Sequence, residues 1–229
     1  MISIIIPVYN EGSILKNTVN KISDYFKNKD YEIIVIDDGS TDDTRDVLSK
    51  FDNLVINDIR KNKGKGYSVK EGIFLSKGNI ILMTDADLST PIDEFHKLKK
   101  YIKNFSIVIG SRSLKDSKVE NTFIRKLLGR IGNIFIRSIV RDIKDTQCGF
   151  KLFDAKIAKK LFSQQTIRGF GFDFEILFLA QKYNYNIKEI PIDWNNSADS
   201  KVKPIHYIIT LFELFSIIIN NIKGKYLNL

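Results

Sequence analysis

The chain has 229 residues, enough for one large domain with at most a small appendage. Hydrophobic residues make up 43%, which excludes bulk disorder, and the lone cysteine, Cys148, excludes an internal disulfide framework. A formal net charge of +9 favours anionic partners (nucleic acid, phospholipid headgroups or phosphorylated substrates) without choosing among them.

Met1 leads straight into the β-branched run 2–8, a buried strand too short for a signal peptide and without a basic stretch before it. With the single cysteine, this points to a reducing, cytoplasmic setting. Residues 11–27 read as a helix, and 31–36 as a second strand ending in Asp37-Asp38-Gly39-Ser40. A helix over 41–51, a strand over 54–57 and a helix over 64–75 follow. The strand 80–84 runs into Asp85-Ala86-Asp87. A helix over 91–103 opens on Pro91, and the strand 105–109 ends in Gly110-Ser111-Arg112. Later, 169–184 reads as a helix, 187–194 as a strand and 206–222 as a long apolar helix. Strands alternating with helices at this spacing predict an α/β fold, a mostly parallel sheet with helices on both faces. Ligands of such sheets sit beyond the carboxyl ends of the strands. Tyr9, Glu11, Asp37, Asp38, Asp85, Asp87 and Arg112 all fall there.

Two carboxylates one residue apart, Asp85 and Asp87, suit a hard divalent cation that bridges to substrate phosphates. The same tripeptide also suits a plain turn with a helix N-cap. Tyr9 can stack on a base with Glu11 near the helix start, and the segment also fits an ordinary strand-to-helix turn. Asp38 can accept a hydrogen bond from a base ring N–H, while Ser40 or Thr41 caps the next helix with Asp42 and Asp43 in its first turn. Asn62-Lys63-Gly64-Lys65-Gly66 is either a phosphate-cradling loop or a flexible basic turn; it lacks the Gly-Lys-Ser/Thr of a Walker A loop.

In combination these segments carry a resemblance. Ile6-Pro7-Val8-Tyr9-Asn10-Glu11, Ile36-Asp37-Asp38-Gly39-Ser40, Asn62-Lys63-Gly64-Lys65-Gly66 and Asp85-Ala86-Asp87, in that order, resemble the family 2 glycosyltransferases of GT-A fold. The likeness runs from Ser3 to about Lys203. Gly110-Ser111-Arg112, Arg125, Asp145-Thr146-Gln147-Cys148-Gly149-Phe150-Lys151, Gly171-Phe172-Asp173-Phe174-Glu175, Trp194 and Ser200-Lys201-Val202 look like the polyprenyl-phosphate branch. The dolichyl-phosphate β-glucosyltransferase type is most similar, with Asp85-Ala86-Asp87-Leu88-Ser89-Thr90-Pro91. Dolichyl-phosphate mannose synthases, which use GDP-mannose, are a near relative. They often carry Gln where Ser89 stands here.

The resemblance implies a Rossmann-like GT-A catalytic domain over 1–203 and an apolar C-terminal helix over 204–229. It implies that Pro7, Tyr9, Glu11, Asp38, Lys65, Asp85, Ala86, Asp87 and Gln147 bind the nucleotide sugar, UDP-glucose. Asp85 and Asp87 would hold Mg²⁺ or Mn²⁺. Asp87, Arg112, Arg125 and Lys201 would carry catalysis, with Arg112 and Arg125 on the acceptor phosphate and Lys201 on a late loop near the phosphates. A dolichyl or polyprenyl phosphate is already anionic near neutral pH, so it needs positioning and charge screening more than a base. Arginine forks suit that task. His96 and His206 need no role. A transferase acting on a saccharide hydroxyl is the remaining enzyme alternative.

Two segments point to a membrane surface. In 124–141, Ile124, Leu127, Leu128, Ile131 and Phe135 share one helical face, opposite Lys126, Arg130, Arg137 and Arg141; Arg125 lies nearer the apolar edge. The segment suits an anionic headgroup layer or a core-packed helix with a solvated basic face. In 206–222, His206, Thr210, Glu213, Ser216 and Asn220 form one polar stripe on an apolar helix. At 17 residues it is short of the ~20 needed to span. It therefore lies in the interface, or packs on a neighbour or on a second subunit of a homodimer. Nucleic acid is disfavoured as a partner, because the carboxylate clusters at the sheet edge repel a phosphate backbone and the aromatics fall inside apolar runs.

Overall fold

The computed structural model describes residues 1–119, 136–137, 139–195 and 204–227, with side chains from 208 onward in the last stretch. Most of the predicted arm 123–141, including Arg125, and the loop carrying Lys201 lie outside the described residues.

The chain runs β1 (Ile2–Val8), α1 (Gly12–Phe26), β2 (Tyr31–Asp37), α2 (Thr44–Leu48), β3 (Leu54–Asp58), α3 (Lys65–Leu75) and β4 (Ile80–Met83). A 3-10 turn at Ile92–Glu94 leads into α4 (Phe95–Lys99), then β5 (Ile107–Ser111) and β6 (Lys118–Val119). After the undescribed stretch come β7 (Lys151–Asp154), α5 (Ala155–Gln164), α6 (Phe172–Lys182), β8 (Ile187–Pro191), β9 (Asp193–Trp194) and α7 (Pro204–Ile222). The seven-stranded sheet has the order β3-β2-β1-β4-β7-β5-β8, and β6 pairs with β9 in a small second sheet. All pairings in the large sheet are parallel except those of β7, which runs antiparallel to both β4 and β5.

The central strands are covered on both faces, which is why they read as unbroken apolar runs rather than alternating ones. Along β1, Ile4, Ile6 and Val8 face a core built with Leu15, Val19, Ile22 and Phe26 of α1. Ile5 points the other way, toward Val69 and Ile73 of α3 and Phe172 at the start of α6, as strand geometry requires. Pro7 lacks the N–H that a central strand normally uses. It is tolerated because β4 pairing stops at Ile5, leaving Pro7 only β2 beside it.

Several expected elements change. The helix expected over 41–51 shrinks to Thr44–Leu48, and neither Ser40 nor Thr41 caps it: the N-cap is Asp43, with no side-chain cap bond. Ser40 instead donates to Asp37, and Thr44 donates to Asp42. The helix expected over 91–103 opens as a 3-10 turn and closes at Lys99. The strand expected over 187–194 divides between two sheets. Of the described residues of the basic segment 123–141, Ile136 is helical, Arg137 and Ile139 are turn and Val140 is bend. Among the described residues, no helix is long and apolar enough to cross a membrane.

Candidate active site

The carboxyl ends of β1, β2 and β4 point one way, and the loops after β1 and β2 bond to each other. The Asn10 backbone N–H donates to Ser40 Oγ at 2.8 Å, and the Thr41 N–H donates to Asn10 Oδ1 at 2.7 Å. Asn10 sits at φ 55°, a left-handed conformation that asparagine tolerates. Tyr9 is exposed at this rim, Pro7 and Glu11 are half-buried beneath it, and Glu11 is the N-cap residue of α1.

The two aspartates at the end of β2 do different work. Asp37 is fully buried and turns the chain: it accepts from Ser40 N–H at 2.9 Å and from Arg45 Nε at 3.2 Å. Asp38 accepts the backbone N–H groups of Lys63 and Gly64, one on each oxygen, both at 2.8 Å. It thus fixes the glycine-rich loop, and further acceptance must use the remaining lone pairs. Burial pushes its carboxyl above the ordinary range, against those two N–H bonds.

After β4 the chain makes a tight turn. Leu88 N–H reaches the Asp85 carbonyl at 3.3 Å, with Leu88 itself at φ 46°. A positive φ is costly for leucine, and such strain persists where the surroundings over-determine it. The turn leaves Ala86 buried and Asp87 exposed. Asp87 accepts from the Ser89 N–H and hydroxyl, both at 2.9 Å. Lys65, on the first turn of α3, donates to Asp85 Oδ1 at 2.6 Å. On the other side Gly149 packs so closely that a Cβ there would lie 2.0 Å from Asp85 Oδ2.

Behind Asp85 lies a buried ion pair that sequence reasoning quoted as motif but gave no role. Lys151, at the start of β7, donates to Asp173 Oδ1 of α6 and to the Cys148 carbonyl. Burial pushes the Asp85 carboxyl up, but Lys65, Lys151 and Arg112 outweigh it and hold the group below its ordinary range. Burial depresses Lys65, and Asp85 and Asp173 more than offset this, raising it to about 12. Asp173 is pushed up by burial, with Lys151 and Lys65 opposing. Burial also raises the Cys148 thiol to about 12, which leaves it protonated and inert.

Arg112, after β5, grips Asp145 with two parallel bonds, Nε at 2.7 Å and Nη2 at 2.8 Å, and lies 5.7 Å over the Trp194 ring. Two of its five N–H donors are thereby used. Asp145, in turn, accepts from the Arg112 backbone N–H at 2.8 Å. Burial raises the Asp145 carboxyl, and Arg112 more than reverses this, holding it below its ordinary range. Gln147 is half-buried on the same segment. Of the sequence-predicted residues, the structure therefore brings together Lys65, Asp85, Ala86, Asp87 and Arg112, with Asp38 holding the adjoining loop.

The donor set is suited to a divalent cation. Among the described residues, no three His, Cys, Asp or Glu side chains cluster as a ready metal cage. Asp85 and Asp87 supply two carboxylates, the number with which Mg²⁺-type sites commonly leave room for water and substrate phosphate. Asp85, Asp87, Asp145 and Asp173 outnumber Lys65, Lys151 and Arg112 by one charge, so an incoming diphosphate calls for additional positive charge.

Residues 3–162 match the model of glycosyl transferase family 2. The chain belongs to this family. Within the family, the glycosyltransferase is 38% identical over 222 residues to a dolichyl-phosphate β-glucosyltransferase of Trichomonas vaginalis, covering 88% of this chain and 68% of that one. The Dictyostelium discoideum enzyme of the same description is 39% identical over 228 residues (89% and 69% covered). The human one is 34% identical over 226 residues (89% and 70%). The glycosyltransferase therefore groups with the dolichyl-phosphate β-glucosyltransferases and spans about two thirds of their length. Its fold matches that of glucosyl-3-phosphoglycerate synthase from Mycobacterium tuberculosis, solved with Mn²⁺, UDP-glucose and phosphoglyceric acid. That likeness has a TM-score of 0.71 at 16% identity and covers 95% of this chain and 79% of the other. The fold is GT-A.

Proposed function

We propose that the enzyme transfers glucose from UDP-glucose to dolichyl phosphate or a related polyprenyl phosphate, with inversion at the anomeric carbon. A phosphate oxygen of the lipid attacks the anomeric carbon, the bond from that carbon to the diphosphate breaks, and UDP leaves with the electron pair. The observation that carries this reading is the mixed-charge cluster at the carboxyl ends of β4 and β5: Asp85 against Lys65, Asp87 at the rim and Arg112 beside them. It sits in a chain whose relatives are dolichyl-phosphate β-glucosyltransferases.

In this reading Pro7, Tyr9, Glu11 and Asp38 line the nucleoside end, and Lys65, Ala86 and Gln147 the diphosphate and sugar. Asp85 and Asp87 hold Mg²⁺ or Mn²⁺, which offsets charge on the diphosphate. Arg112 retains donors beyond its Asp145 grip for the acceptor phosphate, joined by Arg125, and Lys201 closes near the phosphates. The acceptor oxygen carries its charge before reaction, so no proton is removed and no histidine base is needed. Preorganised cations do the work by holding two anionic groups at reacting distance.

Helix α7 supports a membrane-surface setting. Two of its polar side chains face the protein: Glu213 accepts from Gly171 N–H at 2.7 Å, and Asn220 donates to Thr166 Oγ1 at 3.0 Å. Its apolar Ile208, Phe212, Phe215, Ile219 and Ile222 face outward, between 49% and 78% exposed, and Lys223 and Lys225 follow. With Leu214 and Ile217 buried in the core, α7 is apolar on its inner and outer faces alike, which fits a lipid interface with anionic headgroups. The free Cys148 supports a reducing compartment and with it the cytoplasmic face of the membrane. The acceptor is tested by offering UDP-glucose with polyprenyl phosphate, polyprenol and 3-phosphoglycerate in parallel. Product from polyprenyl phosphate alone supports the reading, and product from either of the others overturns it.

A further inference from the structure

The glycine-rich loop and α7 both press on one strap of backbone, residues 165–171. On the loop side one contact is backbone to backbone and one runs through the Gln165 amide. Tyr67 N–H donates to the Arg168 carbonyl at 3.1 Å, and Gln165 Nε2 donates to the Gly66 carbonyl at 2.9 Å. A Cβ at Gly64 would lie 2.5 Å from the Arg168 oxygen, and one at Gly66 2.9 Å from the Gly169 oxygen. On the helix side Glu213 receives the Gly171 N–H at 2.7 Å, and a Cβ at Gly169 would lie 2.1 Å from Glu213 Oε1. Glycines at all four positions let three elements close to van der Waals distance, so the Glu213 side chain is the link through which a shift of α7 reaches the strap. The loop in turn gives Asp38 two N–H donors and carries Lys65 to Asp85. Glu213 is thus two contacts from the donor site while lying on the helix whose outer face is apolar.

We propose that Glu213 is a positioning residue that locks the strap against the donor loop, so that seating α7 on a lipid surface tightens the enzyme's hold on the nucleotide. The second half rests on the membrane-surface reading above. The residue's place inside a mostly apolar helix is otherwise unfavourable: burial raises its carboxyl above the ordinary range, against the N–H bonds from Gly171 and Gly169. Those N–H groups lose their acceptor if the carboxylate is removed, and the 169–171 end of the strap then lacks its tie to α7, while Glu175 and Asn220 still hold Thr166.

Direct titration with UDP needs no turnover and no acceptor, so it is independent of the transfer reaction. Glu213→Ala is expected to weaken UDP binding about tenfold, the equivalent of one lost charge-assisted acceptor. Glu213→Gln keeps one oxygen for Gly171 and is expected to recover most of that loss at equal thermal stability. Vesicles of phosphatidylcholine and phosphatidylserine are expected to tighten UDP binding to the unmodified enzyme and not to Glu213→Ala, with flotation on the vesicles unchanged. Unchanged UDP affinity in Glu213→Ala, with or without a lower melting temperature, overturns the positioning role. Vesicle binding without any gain in UDP affinity overturns the coupling alone. Failure of the unmodified enzyme to float with vesicles overturns the coupling together with the membrane-surface reading.

Discussion

Gly149 shows how much of the site hangs on single atoms. Its missing side chain is the space that the Asp85 carboxylate occupies. Gly149→Ala is expected to displace Asp85 and lower kcat about a hundredfold, since an error near 1 Å in a reacting site costs that much. Thermal stability should change little by comparison, and unchanged kcat would remove Asp85 from the site. Asp87→Ala, whose side chain is already at the rim, should nearly abolish turnover without unfolding the protein. Asp145 makes the complementary case. Arg112 holds its folded-state carboxyl below the unfolded value, so the pair stabilises the fold above that unfolded value and the contribution is lost as pH falls through the folded one. Asp145→Asn should cost about 3 kcal/mol near neutral pH, because it strands a largely buried guanidinium. Urea unfolding across the acid range should show a flatter decline in the variant than in the unmodified enzyme.

At the scale of elements, the first half of the chain was legible because its strands are long, apolar and closed by turn residues. Residues 2–8, 31–36, 64–75 and 80–84 were all recoverable from that pattern. In the second half the helices expected over 169–184 and 206–222 and the strand expected over 187–194 were legible too, but β7 and the helix after it were not. β7 has four residues, is antiparallel on both sides and starts with a buried lysine whose partner, Asp173, is on α6. No local pattern announces such a strand. The helix after it was missed although Asp154 caps it through two backbone N–H bonds and Ala155, Ala158, Leu161 and Phe162 line its buried side. Asp38 was singled out as an acceptor for a base ring N–H; in the structure its bonds go to Lys63 and Gly64, a relation that only tertiary structure reveals. The loop that Asp38 holds begins α3 with Gly64 at φ 101°. Gly64→Ala should raise the KM for UDP-glucose more than it lowers kcat, because the left-handed backbone and the Arg168 carbonyl both oppose a Cβ there. On α7, replacing Phe212 and Phe215 with serine should abolish vesicle flotation while leaving the melting temperature unchanged or higher. Retained flotation would return α7 to the role of an ordinary surface helix.

For the whole molecule, the sheet order gathers the loops after β1, β2, β4 and β5 on one edge, with β7 reversed so that its first residue, Lys151, arrives at the same edge. Helix α7 and Tyr226 then join the core on the α3 side, which leaves the outward apolar face of α7 on the same body as the site. The architecture thus brings the proposed nucleotide-sugar site and the outward apolar face of α7 together on one body. The net charge of +9 suits both the diphosphate and anionic headgroups. The most direct test is a transfer assay with purified enzyme, Mg²⁺ or Mn²⁺ and dolichyl phosphate, offered UDP-glucose and GDP-mannose side by side. A β-linked glucosyl lipid formed from UDP-glucose alone is the predicted result; a mannosyl lipid, or no lipid product from UDP-glucose, would contradict it.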